Sequence, residues 1–305
     1  MRWWRSRPGD EPVWGVRIVV AIGVGTLTLA VASCGARGPD RDAARRHVEA
    51  ARQLAQAGEI AAALARLDRA RAADPKWFVP RLARADLLNT AGNVRAAREE
   101  ALAASRLAPR ERAVLLLLLE LTPEYESPAE TERIARRLLE VDPESAQGYY
   151  YLGRAILAQG DARRYPEAVT ALRESVARAP NSALALVELG RAQRLLGDPA
   201  GAIRTMEGAI AILDRAPVRG AIDDAMLEEW LAQRRAAAFW LAQAAHEAGD
   251  RSLAARATAD AERFARYAAE LRAITNRAAS LPPDLAAREQ LRSVERRGLG
   301  YWEPR

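Results

Sequence analysis

ARRHVEAARQLAQAGEIAAALARLDRARAADPKW, residues 44–77, runs without a gap into FVPRLARADLLNTAGNVRAAREEALAASRLAPRE, residues 78–111, and these two stretches decide the fold. They share their punctuation. Gly58 and Gly92 each stand 17 residues before a proline, Pro75 and Pro109. An alanine follows each glycine at five residues, Ala63 and Ala97, and another precedes it at seven, Ala51 and Ala85. The residues between are rich in alanine, leucine, arginine and glutamate, all strong helix formers. A glycine lets the chain leave a helix in a left-handed conformation, and a proline cannot continue one. Each stretch therefore reads as two helices joined by a turn. The small residues on either side of the turn face each other and let the helices approach closely.

Working outward, Pro143 and Pro180 continue the series, with proline separations of 34, 34 and 37 residues. Gly160, Gly197 and Gly249 are further loop glycines. Gly153, Gly190 and Ala242 are the small residues before them, and Ala168, Ala202 and Ala254 those after, Ala168 being displaced by a three-residue insertion around Asp161 to Arg164. A 34-residue helix–turn–helix period with these positions resembles the tetratricopeptide repeat (TPR) family. The resemblance implies an all-α fold, a right-handed TPR α-solenoid of stacked antiparallel hairpins over residues 41–280. Five units fit closely: 44–77, 78–111, 146–182, 183–217 and 235–266. The stretch 112–145 is a degenerate unit, since Leu119 and Thr131 replace the small residues and Thr122-Pro123 breaks the turn.

Two departures from the period shape the end of the array. Between Pro217 and residue 235, the N-cap candidate Asp223 and the apolar Met226, Leu227, Trp230 and Leu231 predict one long first helix from Asp223 to Ala248. The second helix overruns the repeat through Phe264, Tyr267, Leu271 and Ile274 to Ser280, where Leu281-Pro282-Pro283 stops it. Residues 281–305 then hold a short helix and a tail with Tyr301 and Trp302, the expected C-terminal cap of the array.

Ahead of the repeats, residues 1–17 carry Arg2, Arg5, Arg7 and Arg17, and Ile18 to Ser33 is an uncharged run of 16 residues. That length suits the central region of an export signal and falls short of the roughly 20 residues a spanning helix wants. The run ends Val31-Ala32-Ser33-Cys34-Gly35, which resembles a bacterial lipoprotein signal. The resemblance implies a cleaved signal peptide over 1–33, lipidation at Cys34 and a polar spacer over 34–40. An uncleaved single-pass anchor is the alternative. Both export the rest of the chain and leave the arginine-rich flank inside. Gly35 stands where an aspartate marks inner-membrane retention in some bacteria, which favours the outer membrane.

Composition removes several classes of chemistry. The chain has 68 alanines among 305 residues, 50% hydrophobic and 28% charged residues, too apolar for disorder and too charged for a multi-span membrane protein. One cysteine forbids an intrachain disulfide, and two histidines, His47 and His246, leave almost nothing for a metal or haem site. No metal, cofactor or catalytic residue is expected. Glu99, Glu100, Glu228 and Glu229 have arginines three or four positions away and read as solvated, ion-paired faces. Formal net charge is +6 with Lys76 the only lysine, and no unmixed basic run suggests nucleic acid.

Function has to come from the surface that repetition creates. In the first helix of a unit, positions 4, 8 and 11 pack on the partner helix, and positions 2, 5, 9 and 12 form the neighbouring stripe. In proteins the chain resembles, that second stripe lines a concave groove for an extended peptide or partner helix. Here it offers Arg45, Val48 and Arg52, then Leu82, Asp86 and Asn89, then Tyr150 and Arg154, then Val187, Arg191 and Arg194, and finally Phe239, Gln243 and His246. Arginines interleaved with aromatics suit a ligand carrying carboxylates and apolar anchors; the alternative is that arginine is simply abundant and these positions are solvated. The Leu115 to Leu119 run reads as solenoid core. The expected protein is a non-enzymatic, membrane-anchored scaffold holding an unidentified envelope protein. Alternatives are an assembly lipoprotein similar to type IV pilus or outer-membrane biogenesis factors, and an accessory subunit of a cell-wall or polysaccharide secretion machine.

Overall fold

Twelve α-helices and no strand make up the described residues of the computed structural model, which are 39–122, 127–215 and 224–279. The expected signal over 1–33, Cys34, most of the spacer, Pro217 to Asp223 and the capping segment 281–305 lie outside them.

The helices stop where the sequence is punctuated. Gly58, Gly92, Gly160, Gly197 and Gly249 have φ between 73° and 86°, and no atom lies within 4 Å of where a Cβ would stand. Glycine serves there for conformation and not for room. Asp74, Ala108, Asp142 and Ala179, each preceding a proline, have φ of −134° to −140° and ψ of 72° to 91°, the extended region that a following proline imposes. At the other ends, side chains accept orphan backbone N–H groups: Asn93 from Ala96, Ser145 from Gly148, Ser182 from Ala185, Asp198 from Gly201 and Asp250 from Leu253, at 2.8–3.3 Å.

The chain divides into two compact units at Leu121/Thr122, inside the degenerate 112–145 stretch. The first holds α1 (Arg41–Gln56), α2 (Ile60–Ala73), α3 (Val79–Thr90), α4 (Val94–Leu107) and α5 (Arg112–Leu121). Helices α1 and α2 form one hairpin, and α3 and α4 the next. Ala51, Ala63, Ala85 and Ala97 are all 2% exposed or less. Arg41 closes the first hairpin by pairing with the buried Asp74 and lying 5.0 Å over the Trp77 ring. Its guanidinium, with burial opposing, holds the Asp74 carboxyl below the usual carboxylate range. Leu115 to Leu119 are all buried, as core residues should be.

The second unit holds α6 (Pro128–Val141), α7 (Ala146–Gln159), α8 (Tyr165–Arg178), α9 (Ala183–Leu195), α10 (Pro199–Arg215), α11 (Asp224–Glu247) and α12 (Arg251–Ala279). Helices α7/α8, α9/α10 and α11/α12 are hairpins, each first helix also packing on the preceding second one. Glycine here serves for room. A Cβ on Gly153 would meet Leu172 Cγ at 2.5 Å, and one on Gly190 would meet Met206 Cε at 2.7 Å. The long α11 begins one residue after Asp223, and its added turns bury Trp230, whose indole N–H donates to the Leu213 carbonyl at 3.0 Å and whose ring meets Phe264 edge-on. Ala168, Ala202 and Ala242 are buried, whereas Ala254 is half-exposed. Among the described residues no helix is long and apolar enough to cross a membrane.

Candidate peptide-binding groove

In the first unit the groove stripe is sparsely built. Arg45 is exposed and lies 3.6 Å from Asp42, and Arg52 lies 3.8 Å from Glu49, both within one helical turn. Pairs of this kind contribute little. Val48 is buried, so it belongs to the core and not to the stripe. Arg52, Ile60, Asp86 and Leu87 border only a small cavity, of about 30 Å³.

The second unit is different, because the stripe residues of its first helices are joined into one strip. On α7, the Arg154 guanidinium donates to the Tyr150 hydroxyl at 2.8 Å, lies 5.0 Å from that ring, and reaches toward Glu188 on α9 at 3.6 Å. Glu188 is 13% exposed and also accepts from Arg191 at 3.3 Å. Arg191 and Arg194 both lie over Trp240 on α11, at 5.5 and 5.1 Å, and Arg194 pairs with Glu247 at the end of that helix. Phe239 meets the Trp240 ring edge-on at 4.9 Å and is 46% exposed. Gln243 and His246 are exposed on the same helix, and Val187 is buried. The strip thus runs Tyr150, Arg154, Glu188, Arg191, Trp240, Arg194 and Glu247 across three successive first helices, with Phe239 and Gln243 beside it.

No family model matches the sequence, and no curated protein does. Among solved structures, the chain is similar to PilW, a widely conserved type IV pilus biogenesis factor, at 19% identity over 76% of this chain and 97% of that one, with a TM-score of 0.55. It is similar to YrrB, a TPR protein with an unusual peptide-binding site, at 17% identity over 57% and 88%, with a TM-score of 0.50. MamA from Desulfovibrio magneticus RS-1 gives 15% identity over 58% and 98%, with a TM-score of 0.51. The fold is the all-α TPR solenoid. Within its hairpins, α1, α3, α7, α9 and α11 are the first TPR helices and α2, α4, α8, α10 and α12 the second.

The TPR register brings Tyr150, Arg154, Arg191, Arg194, Phe239 and Gln243 to one strip, whereas Arg45 and Arg52 belong to the other unit. It also changes what the arginines are. Arg154, Arg191 and Arg194 are only 17–21% exposed along their side chains and already engage acids and rings of their own chain. Trp240 and Glu188 escape the sequence reading because neither falls on positions 2, 5, 9 or 12. The i,i+3 spacing of Glu188 and Arg191 is the one local signal that points to the pairing.

Other acids are part-buried hubs. Glu100 on α4, 15% exposed, binds Arg71 of α2 and Arg81 and Arg84 of α3 at 3.1–3.2 Å, which corrects its reading as a solvated residue. Pairing across a stacked hairpin is invisible to i,i+4 counting. In the second unit the insertion forms a short 3-10 helix, Ala162–Arg164. Arg164 there makes forked bonds to Glu132 at 2.8 and 2.9 Å and bonds Glu167 and Gln159. Arg164, then Gln159 and Arg136, hold the Glu132 carboxyl down to about 2 against its burial. Among the described residues no group of three or more His, Cys, Asp or Glu could hold a metal ion.

Proposed function

We propose that this protein is a non-enzymatic, membrane-anchored interaction scaffold of the bacterial envelope that receives a peptide or helix of a partner protein along α7, α9 and α11. The observation that carries the reading is the continuous strip from Tyr150 to Glu247 with Phe239 left 46% exposed beside it. Rigid aromatics flanked by guanidinium groups are what protein interfaces use as anchors. Anchoring rests on the sequence ending Ala32-Ser33-Cys34, and on stable attachment needing two or more acyl chains, since one holds only marginally. A photo-crosslinker at Phe239 or Gln243 is expected to capture one or a few envelope proteins in the native host. Capture no more selective than from Arg204, exposed on α10, would refute the groove. Cys34→Ser is expected to abolish lipid labelling and release the protein from membranes, and unchanged membrane association with an intact N-terminus would favour the single-pass anchor.

Likeness to PilW over 97% of that protein supports a second reading, an assembly lipoprotein for an envelope machine such as a pilus. Loss of pilus or secretin assembly on deletion, restored by the parent and not by a Phe239→Asp variant, supports it. Normal assembly in the deletion strain excludes it.

A further inference from the structure

The strip in the second unit holds three guanidinium groups and two carboxylates, and the two carboxylates are not equivalent. Glu188 is 13% exposed and shared between Arg154 and Arg191, so it belongs to the framework. Glu247 is 40% exposed and is the last residue of α11, where the free carbonyls of a helix C-terminus disfavour negative charge. Its partner Arg194 is 17% exposed and braced against Trp240, and its buried Nε meets no acceptor among the described residues. The cation is therefore fixed and incompletely satisfied, while the anion on it is exposed at a helix end. Arg191 lies over the same indole and pairs with Glu188, and Phe239 offers an apolar surface at the indole edge.

We infer that Arg194 is an anion-receiving position that Glu247 occupies in the free protein, and that a carboxylate of a bound acidic segment displaces Glu247 while an apolar side chain of that segment lies on Phe239. This rests on the groove reading above and names the ligand class, an acidic peptide with a large apolar residue near its carboxylate. Glu247 is then a built-in competitor, which gives the inference a sign opposite to that of an ordinary contact residue: removing this carboxylate strengthens binding.

The test uses the full chain and a fluorescein-labelled peptide pool with Asp or Glu set two to four residues from Phe or Leu, beside the same pool with Asn and Gln in place of the acids. Fluorescence anisotropy reads affinity at low and high salt. Glu247→Gln is expected to bind the acidic pool about two- to fivefold tighter, the range of one exposed ion pair. It should leave affinity for the amide pool unchanged. Arg194→Gln is expected to abolish the preference for the acidic pool. Unchanged or weaker binding by Glu247→Gln, or equal affinity for both pools, overturns the inference. Circular dichroism melts of both variants separate these results from misfolding. If a crosslinker at Phe239 captures partners while the pools show no Glu247 effect, this inference fails and the groove stands. If neither experiment gives a groove signal, both fail.

Discussion

Replacing Gly153 by alanine sets two effects of known sign against each other. In a helix interior the change alone stabilises by about 0.5–1 kcal/mol, because glycine loses more conformational freedom on folding. Against that, the new Cβ would stand 2.5 Å from Leu172 Cγ and 3.0 and 3.1 Å from its two Cδ atoms. Ordinary carbon–carbon contact is about 3.5–4.0 Å. The nearest atom is the branch point of a side chain with no exposure, so it cannot swing aside without moving α8 from α7. Overpacking of this kind costs about 1–3 kcal/mol. The net expectation is a destabilisation of up to about 2 kcal/mol. Gly208→Ala isolates the first effect, since Gly208 lies within α10 and the methyl added there meets nothing within 4 Å. That variant is expected to gain about 1 kcal/mol. The two variants should therefore differ by about 1–3 kcal/mol, or roughly 3–10 °C in thermal midpoint followed by helical circular dichroism. Leu172→Ala should cost less in the Gly153→Ala background than in the parent, because the cavity it leaves accepts the methyl. If Gly153→Ala raises the midpoint as Gly208→Ala does, and Leu172→Ala costs the same in both backgrounds, then α7 and α8 do not meet at Gly153.

Three further outcomes are expected. Gly190→Arg forces a charged chain past Met206 Cε and the Ala202 carbonyl, which lie 2.7 and 3.3 Å from the Cβ position, and should cost more than about 4 kcal/mol, read as loss of soluble protein or of helical signal. Glu132 has its pKa lowered from 4.5 to about 2, so its contribution is complete above pH 4.5 and disappears as pH falls through 2. Glu132→Gln should therefore lower urea resistance by about 1–2 kcal/mol at pH 7, discounting for its exposure, and by much less near pH 2, and a pH-independent penalty would contradict the pairing. Arg234, 5% exposed, pairs with Asp214 and Asp260. Removing both acids by Asn substitution should cost about 3 kcal/mol, more than Arg234→Met, because it strands a buried charge; equal losses in chemical denaturation would refute that asymmetry.

The features legible in the sequence are those written in backbone chemistry. Gly58 and Gly92 are readable because only glycine is at ease at φ near 80°, and Pro75 and Pro109 because no helix continues through them. The long α11 is readable from Trp230 and its apolar neighbours, since a helix that outgrows its repeat must find something to bury them. What pairs with what across the stack is not. Glu100 meets arginines 29, 19 and 16 positions before it, Arg164 meets Glu132 32 positions before it, and Arg194 meets Glu247 53 positions after it. Those separations follow from the stacking register and from the inserted residues before α8 and α11, and no local spacing rule contains them. The groove stripe is legible as a face, yet which of its arginines are already engaged is not, because Trp240 and Glu188 come from positions outside that face.

The arginine excess takes on a physical sense once these partners are known. Alanine-rich helices meet at short distances but bury little area per residue, so contact between successive hairpins does little to fix their relative turn. Arginine supplies what alanine lacks. Its planar group forks onto carboxylates and sits over rings, as Arg164 does on Glu132, Arg194 on Trp240 and Arg234 on Phe264. Lysine, a point charge on a flexible stem, would keep the charge and lose both geometries. Where Arg84, Arg164 and Arg234 sit, each tied to acids on two different helices, the guanidinium works as a hinge pin between neighbouring hairpins. Arg194 differs from them in one respect, since it pairs with a single acid, Glu247, at the end of α11, and that difference separates a binding position from a structural one.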